Sequence, residues 1–194
     1  MNNEKVGQLI RTLRKEKHMT QLALARKLNI SDKTVSKWER GRGAPELSLI
    51  EPLSQVFQVD PQSLISGELP RNEISGGNMK KMKYYICPDC GNLITALADA
   101  EITCCGRKLA PAEPVKAYPE EKLSVELIDT DYFVSTDHPM TKEHYITFVA
   151  LQTGDTLVLK KQYPEWDLQV RIPRIARGKL IWCCNRHGLF YQYV

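Results

Sequence analysis

A multidomain α-plus-β chain is predicted by three observations. Residues 1–68 place apolar side chains at helical spacing. Residues beyond about 120 break into short β-favouring stretches separated by turn residues. Six cysteines fall in close pairs, four of them between residues 84 and 110. The 194 residues leave room for more than one folding unit. The expected order is a five-helix bundle over 1–68, a linker over 69–83, a small four-cysteine module over 84–110 and an antiparallel β-sandwich over 111–194.

Each element follows from local chemistry. Val6, Leu9, Ile10 and Leu13 recur at i, i+3, i+4 and i+7, which makes one apolar helix face. Thr20 can cap a second helix carrying Leu22, Leu24, Ala25 and Leu28. Ser31 can cap a third, with Val35 and Trp38 facing inward. Pro45 suits the first turn of a fourth, which carries Leu47, Leu49, Ile50, Leu53 and Val56. Asp60-Pro61 opens a short fifth that ends near Gly67. Residues 69–83 have linker composition. The period then changes to two, with strands expected at 125–128, 145–151, 156–159, 168–172, 179–183 and 190–194.

Charge is unevenly spread. Residues 1–68 carry 11 Lys+Arg against 8 Asp+Glu, and residues 69–83 carry 4 against 1, each a net +3. Residues 84–194 carry 12 against 14, a net −2. A polyanion partner is therefore expected at the N-terminal part. No apolar run approaches the roughly 20 residues of a membrane span. The polar stretch Met1–Ile10 lacks the apolar core of a signal peptide. A cytoplasmic protein without a membrane partner is expected, and in that compartment six cysteines read as metal ligands or redox thiols rather than disulfides.

The helices at 20–28 and 31–40, joined by Asn29-Ile30, have helix-turn-helix spacing. The stretch from Met19 to Pro45, with its Ser31-x-x-Thr34-Val35-Ser36-Lys37-Trp38-Glu39 core, resembles the Cro/C1-type (XRE) repressor family. A recognition helix needs polar and basic side chains on one face and apolar ones on the other. Asp32, Lys33, Thr34, Ser36 and Lys37 supply the first, Val35 and Trp38 the second. The resemblance places Gln21 at a phosphate, and Arg42 can add another phosphate contact. It implies double-stranded DNA as partner and a homodimer as the binding form. Position 23 is Ala, where many members have Glu for a capping box.

Cys87-Pro-Asp-Cys90-Gly-Asn is followed by Cys104-Cys105-Gly. A Cys-x2-Cys turn sets two thiolates on one ion, and a second pair completes a tetrahedron. Gly91 and Gly106 allow the tight turns after each pair. The adjacent pair is unusual for zinc ribbons. The segment is similar to desulforedoxin and the N-terminal module of desulfoferrodoxin, in which four thiolates hold one iron. Tetrahedral sulfur suits iron or zinc. About two dozen residues bury little core, so the metal supplies folding energy.

His138-Pro-Met-Thr-Lys-Glu-His144 and Cys184-Asn-Arg-His187-Gly carry the other ligand-type residues. The Cys-x2-His turn directs two side chains at one ion, with Gly188 relieving the backbone. Cys183 beside it reads as a packing residue. Both phrases resemble the superoxide reductase (neelaredoxin) domain, so the likeness to desulfoferrodoxin runs from Tyr84 to Val194. That resemblance implies an immunoglobulin-like sandwich and a mononuclear iron held by four histidines and one thiolate, with an open position for superoxide. It also implies a Glu-Lys-His loop whose lysine draws in the anion and whose glutamate caps the oxidised iron. Here the matching stretch is Glu121-Lys122-Leu123, which keeps the Glu121 and Lys122 roles and puts leucine in place of the first histidine. His138, His144, His187 and Cys184 remain, and the vacancy opens to water or to a carboxylate such as Glu120 or Glu121.

Three functions fit these residues. One is a transcription regulator that senses redox state or reactive oxygen through iron. Another is a superoxide reductase, served by superoxide and an electron donor, that carries a DNA-binding domain. The third is a DNA-binding protein whose metal modules only fold and dimerise it. Leu123, where an intact histidine would have favoured the enzyme, favours sensing or structure, and the first function is preferred.

Overall fold

The computed structural model describes residues 2–72 and 79–194. They divide into two compact units, Met1–Arg71 and Asn72–Val194. Of the expected linker, residues 73–78 lie outside the described residues.

The first unit is five helices: α1 Asn3–Glu16, α2 Gln21–Lys27, α3 Asp32–Glu39, α4 Leu47–Phe57 and α5 Pro61–Ser66. Side-chain caps set the starts of four of them. Asn2 caps α1, the Thr20 hydroxyl accepts the Ala23 N–H at 3.0 Å, Ser31 accepts the Thr34 N–H at 3.1 Å, and Asp60 caps α5. The start of α4 differs from expectation. Pro45 lies outside the helix, Glu46 takes the cap position without a side-chain bond, and Leu47 is 82% exposed. Val6, Ile10, Leu13, Leu24, Val35, Trp38, Leu53 and Phe57 form the core.

The core also buries an ion pair. Arg14 Nε donates to Glu39 Oε1 at 2.5 Å, and its terminal nitrogen donates to Oε2 at 2.9 Å. Arg14 also donates to the Met19 carbonyl at 2.6 Å, and Gln21 Nε2 donates to Glu39 at 2.8 Å. The hydrogen bond that Arg14 donates to Glu39 raises the Arg14 pKa further, while burial works against ionisation of Glu39 and these donors overcome it. This network ties α1 and α2 to the end of α3 and sets where the α3 surface stands.

In the second unit, β1 Lys83–Ile86 pairs with β2 Leu93–Ala96, and β3 Ile102–Cys104 with β4 Arg107–Leu109, both antiparallel. The following strands are β5 Val115–Lys116, β6 Ser124–Ile128, β7 Asp131–Ser135, β8 Ile146–Gln152, β9 Leu157–Lys161, β10 Gln169–Pro173, β11 Lys179–Cys184 and β12 Gly188–Tyr193. A three-stranded sheet, β10-β7-β6, faces a five-stranded one, β5-β12-β11-β8-β9. Val134, Val149, Ile172, Leu180 and Trp182 fill the space between them. The sandwich departs from purely antiparallel pairing at one place, where β5 runs parallel to β12.

The five-stranded sheet is covered on both faces. Its outer face, with Phe148, Ala150, Ile181 and Cys183, packs against Tyr84 of β1. Hence Ile146–Gln152 reads as an almost continuous apolar run instead of an alternating one. The same double covering separates the adjacent cysteines. Cys184 belongs to the inter-sheet core and Cys183 to the outer layer, with a register shift between them. Burial pushes the Cys183 thiol up to about 11, so it stays protonated and packs.

Candidate metal centres and nucleic-acid interface

The β1–β2 and β3–β4 hairpins each present a cysteine pair. Sγ atoms of Cys87, Cys90, Cys104 and Cys105 all lie within 4.8 Å of one another. Gly91 and Gly106 follow the pairs at φ 66° and 75°, the left-handed region that glycine enters freely. The Cys90 backbone N–H, with that of Asp89, pulls the Cys87 thiol down to about 7. Crowding by the Cys90 and Cys87 sulfurs pushes Cys105 up to about 12. Four thiolates cannot share this space without a cation between them, so the donor set fits a thiophilic metal ion. Asn92 Nδ2 approaches Cys104 Sγ at 3.8 Å, and an Arg107–Asp89 pair at 2.9 Å braces the two hairpins. Sequence reading missed both. Asn92 carried a signal in the Cys-x2-Cys-Gly-Asn phrase, while Arg107–Asp89 had none.

A second group forms at one end of the sandwich. His138 and His144 stand on the β7–β8 connection, Cys184 closes β11, and His187 lies on the turn into β12. Their ligand atoms also lie within 4.8 Å of one another. The His144 ring centroid is 4.6 Å from those of both His138 and His187, each pair edge-on. His138 Nδ1 lies 2.7 Å from the Pro139 carbonyl. That contact places the proton on Nδ1 and leaves Nε2 with a lone pair. Burial, then the neighbouring imidazoles, holds His138 and His144 below the ordinary histidine range, which favours neutral imidazoles at pH 7.

Two observations show that these residues fit a metal. His138 Nε2 and His144 Nε2 are buried with no hydrogen-bond partner among the described residues. Such nitrogens are costly unless something fills the space between them. Cys184 Sγ accepts the Arg186 N–H at 3.4 Å, as a ligating thiolate would.

Asn185 holds the cluster together, and sequence reading passed over it inside the Cys184–His187 phrase. Its Oδ1 accepts the Tyr145 N–H at 3.0 Å, and its Nδ2 donates to the Glu143 carbonyl at 3.1 Å. The His144 loop is thereby pinned to the turn between Cys184 and His187. Asn185→Ala is expected to weaken metal retention at this cluster by about 10–100-fold, as loss of ligand-orienting partners does. Competition with a chelator of known affinity measures this, with four-cysteine metal content unchanged.

An open cleft of about 650 Å³ adjoins the cluster. His138, Cys184 and His187 line it together with Glu120, Glu121, Lys122, Leu123 and Asp137. The expected loop therefore reaches the site. Leu123 is 4% exposed on the cleft wall and packs with Trp182 and Ile146 in the sandwich core. Its N–H donates to Gln192 Oε1 at 3.0 Å, and its carbonyl accepts from Gln192 Nε2 at 3.1 Å. Lys122 is exposed at the rim. The Glu121 carboxylate accepts the Tyr118 N–H at 3.0 Å, so it caps its own turn.

In the first unit, Asp32, Lys33 and Lys37 are exposed on α3, Thr34 and Ser36 are half-buried, and Arg42 is exposed just beyond. The Lys37 stem lies over Gly43, where a Cβ would come within 3.3 Å of Lys37 Cε. Gln21 is oriented by its bond to Glu39.

Comparisons with known proteins agree with this division. Residues 10–64 match the HTH_3 helix-turn-helix family. Over 88 residues the chain is 39% identical to the HTH-type transcriptional activator BcrR of Enterococcus faecalis, covering 43% of this chain and 41% of that protein. Over 121 residues it is 31% identical to desulfoferrodoxin of Desulfarculus baarsii, covering 56% of this chain and 94% of that protein. The crystal structure of the superoxide reductase from Treponema pallidum matches with TM-score 0.51 at 22% identity, over 58% of this chain and 98% of that one, and so shares the fold of this region. Since nearly the whole of a desulfoferrodoxin is present, the chain belongs to the desulfoferrodoxin family, with an HTH_3 helix-turn-helix domain joined ahead of it.

Proposed function

We propose that this chain is a homodimeric transcription regulator that binds duplex DNA through α3 and senses reactive oxygen or redox state at an iron held by His138, His144, His187 and Cys184. The four-cysteine site holds a second ion, iron or zinc. Bound iron would supply a one-electron couple to an oxygen species entering the cleft. The protein's own groups do the rest. Three neutral imidazoles and one thiolate leave a ferrous ion at a formal net charge of about +1, which favours an anionic ligand. Lys122 adds a cation at the cleft rim. The apolar wall of Leu123, Ile146 and Trp182 keeps water from one side.

One observation carries the sensor reading over the enzyme reading. Leu123 occupies the first-histidine position and is locked into the core, with no side-chain donor to offer. Glu121, the residue expected to cap oxidised iron, is held by Tyr118. A site short of one ligand and one capping group suits a single oxidation event better than repeated turnover. Iron-loaded protein mixed with superoxide and an excess of reduced donor is expected to undergo one stoichiometric oxidation. Rapid multiple turnover would promote the superoxide reductase reading instead.

A further inference from the structure

The second unit is charged asymmetrically along its strands. Register pairs Cys184 with Ile146 and Gly188 at the metal end, and Lys179 with Gln152 and Tyr193 at the other. Five rises of about 3.3 Å from Lys179 to Cys184 put these ends on the order of 17 Å apart. Carboxylates Glu120, Glu121 and Asp137 gather beside the metal cluster. The opposite end is basic. From β10 into the start of β11 the chain reads Arg171-Ile-Pro-Arg174-Ile-Ala-Arg177-Gly-Lys179, four cations in nine residues without an acid, inside a region whose net charge is −2.

Met79 and Lys80 join this same end. The Met79 N–H donates to the Gly154 carbonyl at 3.0 Å, and Gln152 Nε2 donates to the Met79 carbonyl. Lys80 thereby joins Arg177 and Lys179 around a cleft of about 440 Å³. A second cleft of about 430 Å³ shares Arg177 and adds Arg174. Arg174 and Arg177 are exposed, and Lys179 lies over the Tyr191 ring at 4.6 Å, which orders it. Three side-chain carboxylates lie close, among them Asp131, which stands opposite Pro173 beside Arg174. Asp155 accepts from the Thr153 and Thr156 hydroxyls in its own turn, and Asp129 faces Arg171 at 4.0 Å.

We infer that this basic end of the second unit, centred on Arg174, Arg177, Lys179 and Lys80, is an additional contact for the phosphate backbone of duplex DNA. Exposed Arg174 and Arg177, with half-buried Lys179 beside them, spread over two adjoining clefts and suit a line of phosphate charge rather than a single anion. Duplex DNA is favoured because the same chain carries the helix-turn-helix unit. Covalent attachment raises the local concentration of this end near DNA that the first unit has bound. The contact adds affinity without base preference, and it leaves the metal cleft at the far end of the strands open to solvent. This inference rests on the DNA-binding part of the proposed function.

The test uses the full-length protein and the duplex it selects from random-sequence DNA. Each phosphate contact contributes about 0.9 to the slope of log Kobs against log salt. The double variant Arg174→Gln/Arg177→Gln is expected to flatten that slope by about 2 and to leave the ranking of operator variants unchanged. Arg174→Lys/Arg177→Lys should keep the wild-type slope, which separates charge from fold. A Gln variant with the wild-type slope and affinity overturns the inference and leaves the DNA reading standing. Absence of DNA binding by the wild-type chain overturns both.

Discussion

Glu39→Ala is expected to remove most of the stability of the first unit. Glu39 and Arg14 are paired through two hydrogen bonds, with side chains 4% and 10% exposed. Removing one partner strands a buried guanidinium, which costs about 3–5 kcal/mol. Typical domains hold a margin of about 5–15 kcal/mol, and small ones sit at its low end. Gln21 and the end of α3 lose their anchor at the same time. Urea unfolding followed by helical circular dichroism should show the loss, with DNA binding lost and metal content of the second unit kept. Replacing both partners, as Arg14→Met/Glu39→Leu, should recover much of the stability, because no buried charge is then left alone. Equal loss in the single and double variants would mean that packing around α3, rather than the stranded charge, sets the cost.

Leu123→His is the second large effect. The backbone of residue 123 is clamped by Gln192, and its side chain faces the cleft that His138, Cys184 and His187 line. An imidazole there would complete the ligand set that the resemblance implies, on a backbone already held in place by Gln192. Iron retention should rise by more than about tenfold, since even loss of a ligand-orienting partner typically costs that much. Superoxide reduction should rise with it. The substitution removes an apolar side chain from the core and costs about 1–3 kcal/mol of stability in the metal-free protein. Unchanged iron affinity would mean that residue 123 is not the missing ligand position.

Much of the chain was legible because its chemistry is local. Thr20, Ser31 and Asp60 are caps whose effect spans one helical turn, and they mark real starts. Pro45 failed as a start signal because Glu46 and Leu47 follow it in the order a helix needs, two residues later. The β-favouring stretches expected at 125–128, 145–151 and 179–183 form strands at 124–128, 146–152 and 179–184. Asp131–Ser135 was not expected, because Asp131 and Ser135 dilute its apolar centre and only pairing with β6 and β10 makes it a strand. The four-cysteine group was read from its spacing, while His138 and His144 were joined to the Cys184-x2-His187 turn by resemblance to the superoxide reductase domain. What brings His138 and His144 to Cys184 is the hydrogen bonding of Asn185 across the β7–β8 connection, a contact 40 residues apart that no local pattern shows. The basic end opposite the metal cluster was hidden for the same reason, since Lys80 and Arg177 meet only through folding.

The central claim is that the state of the metal in the second unit governs DNA binding by the first. The most direct measurement is the affinity of the iron-loaded, full-length protein for its selected duplex, taken anaerobically at fixed salt before and after stoichiometric oxidation by superoxide. A coupling free energy of about 1–3 kcal/mol predicts a change of about 5–150-fold, lost in a His187→Ala variant that still binds DNA. Identical affinity in both states of the wild-type protein would contradict it.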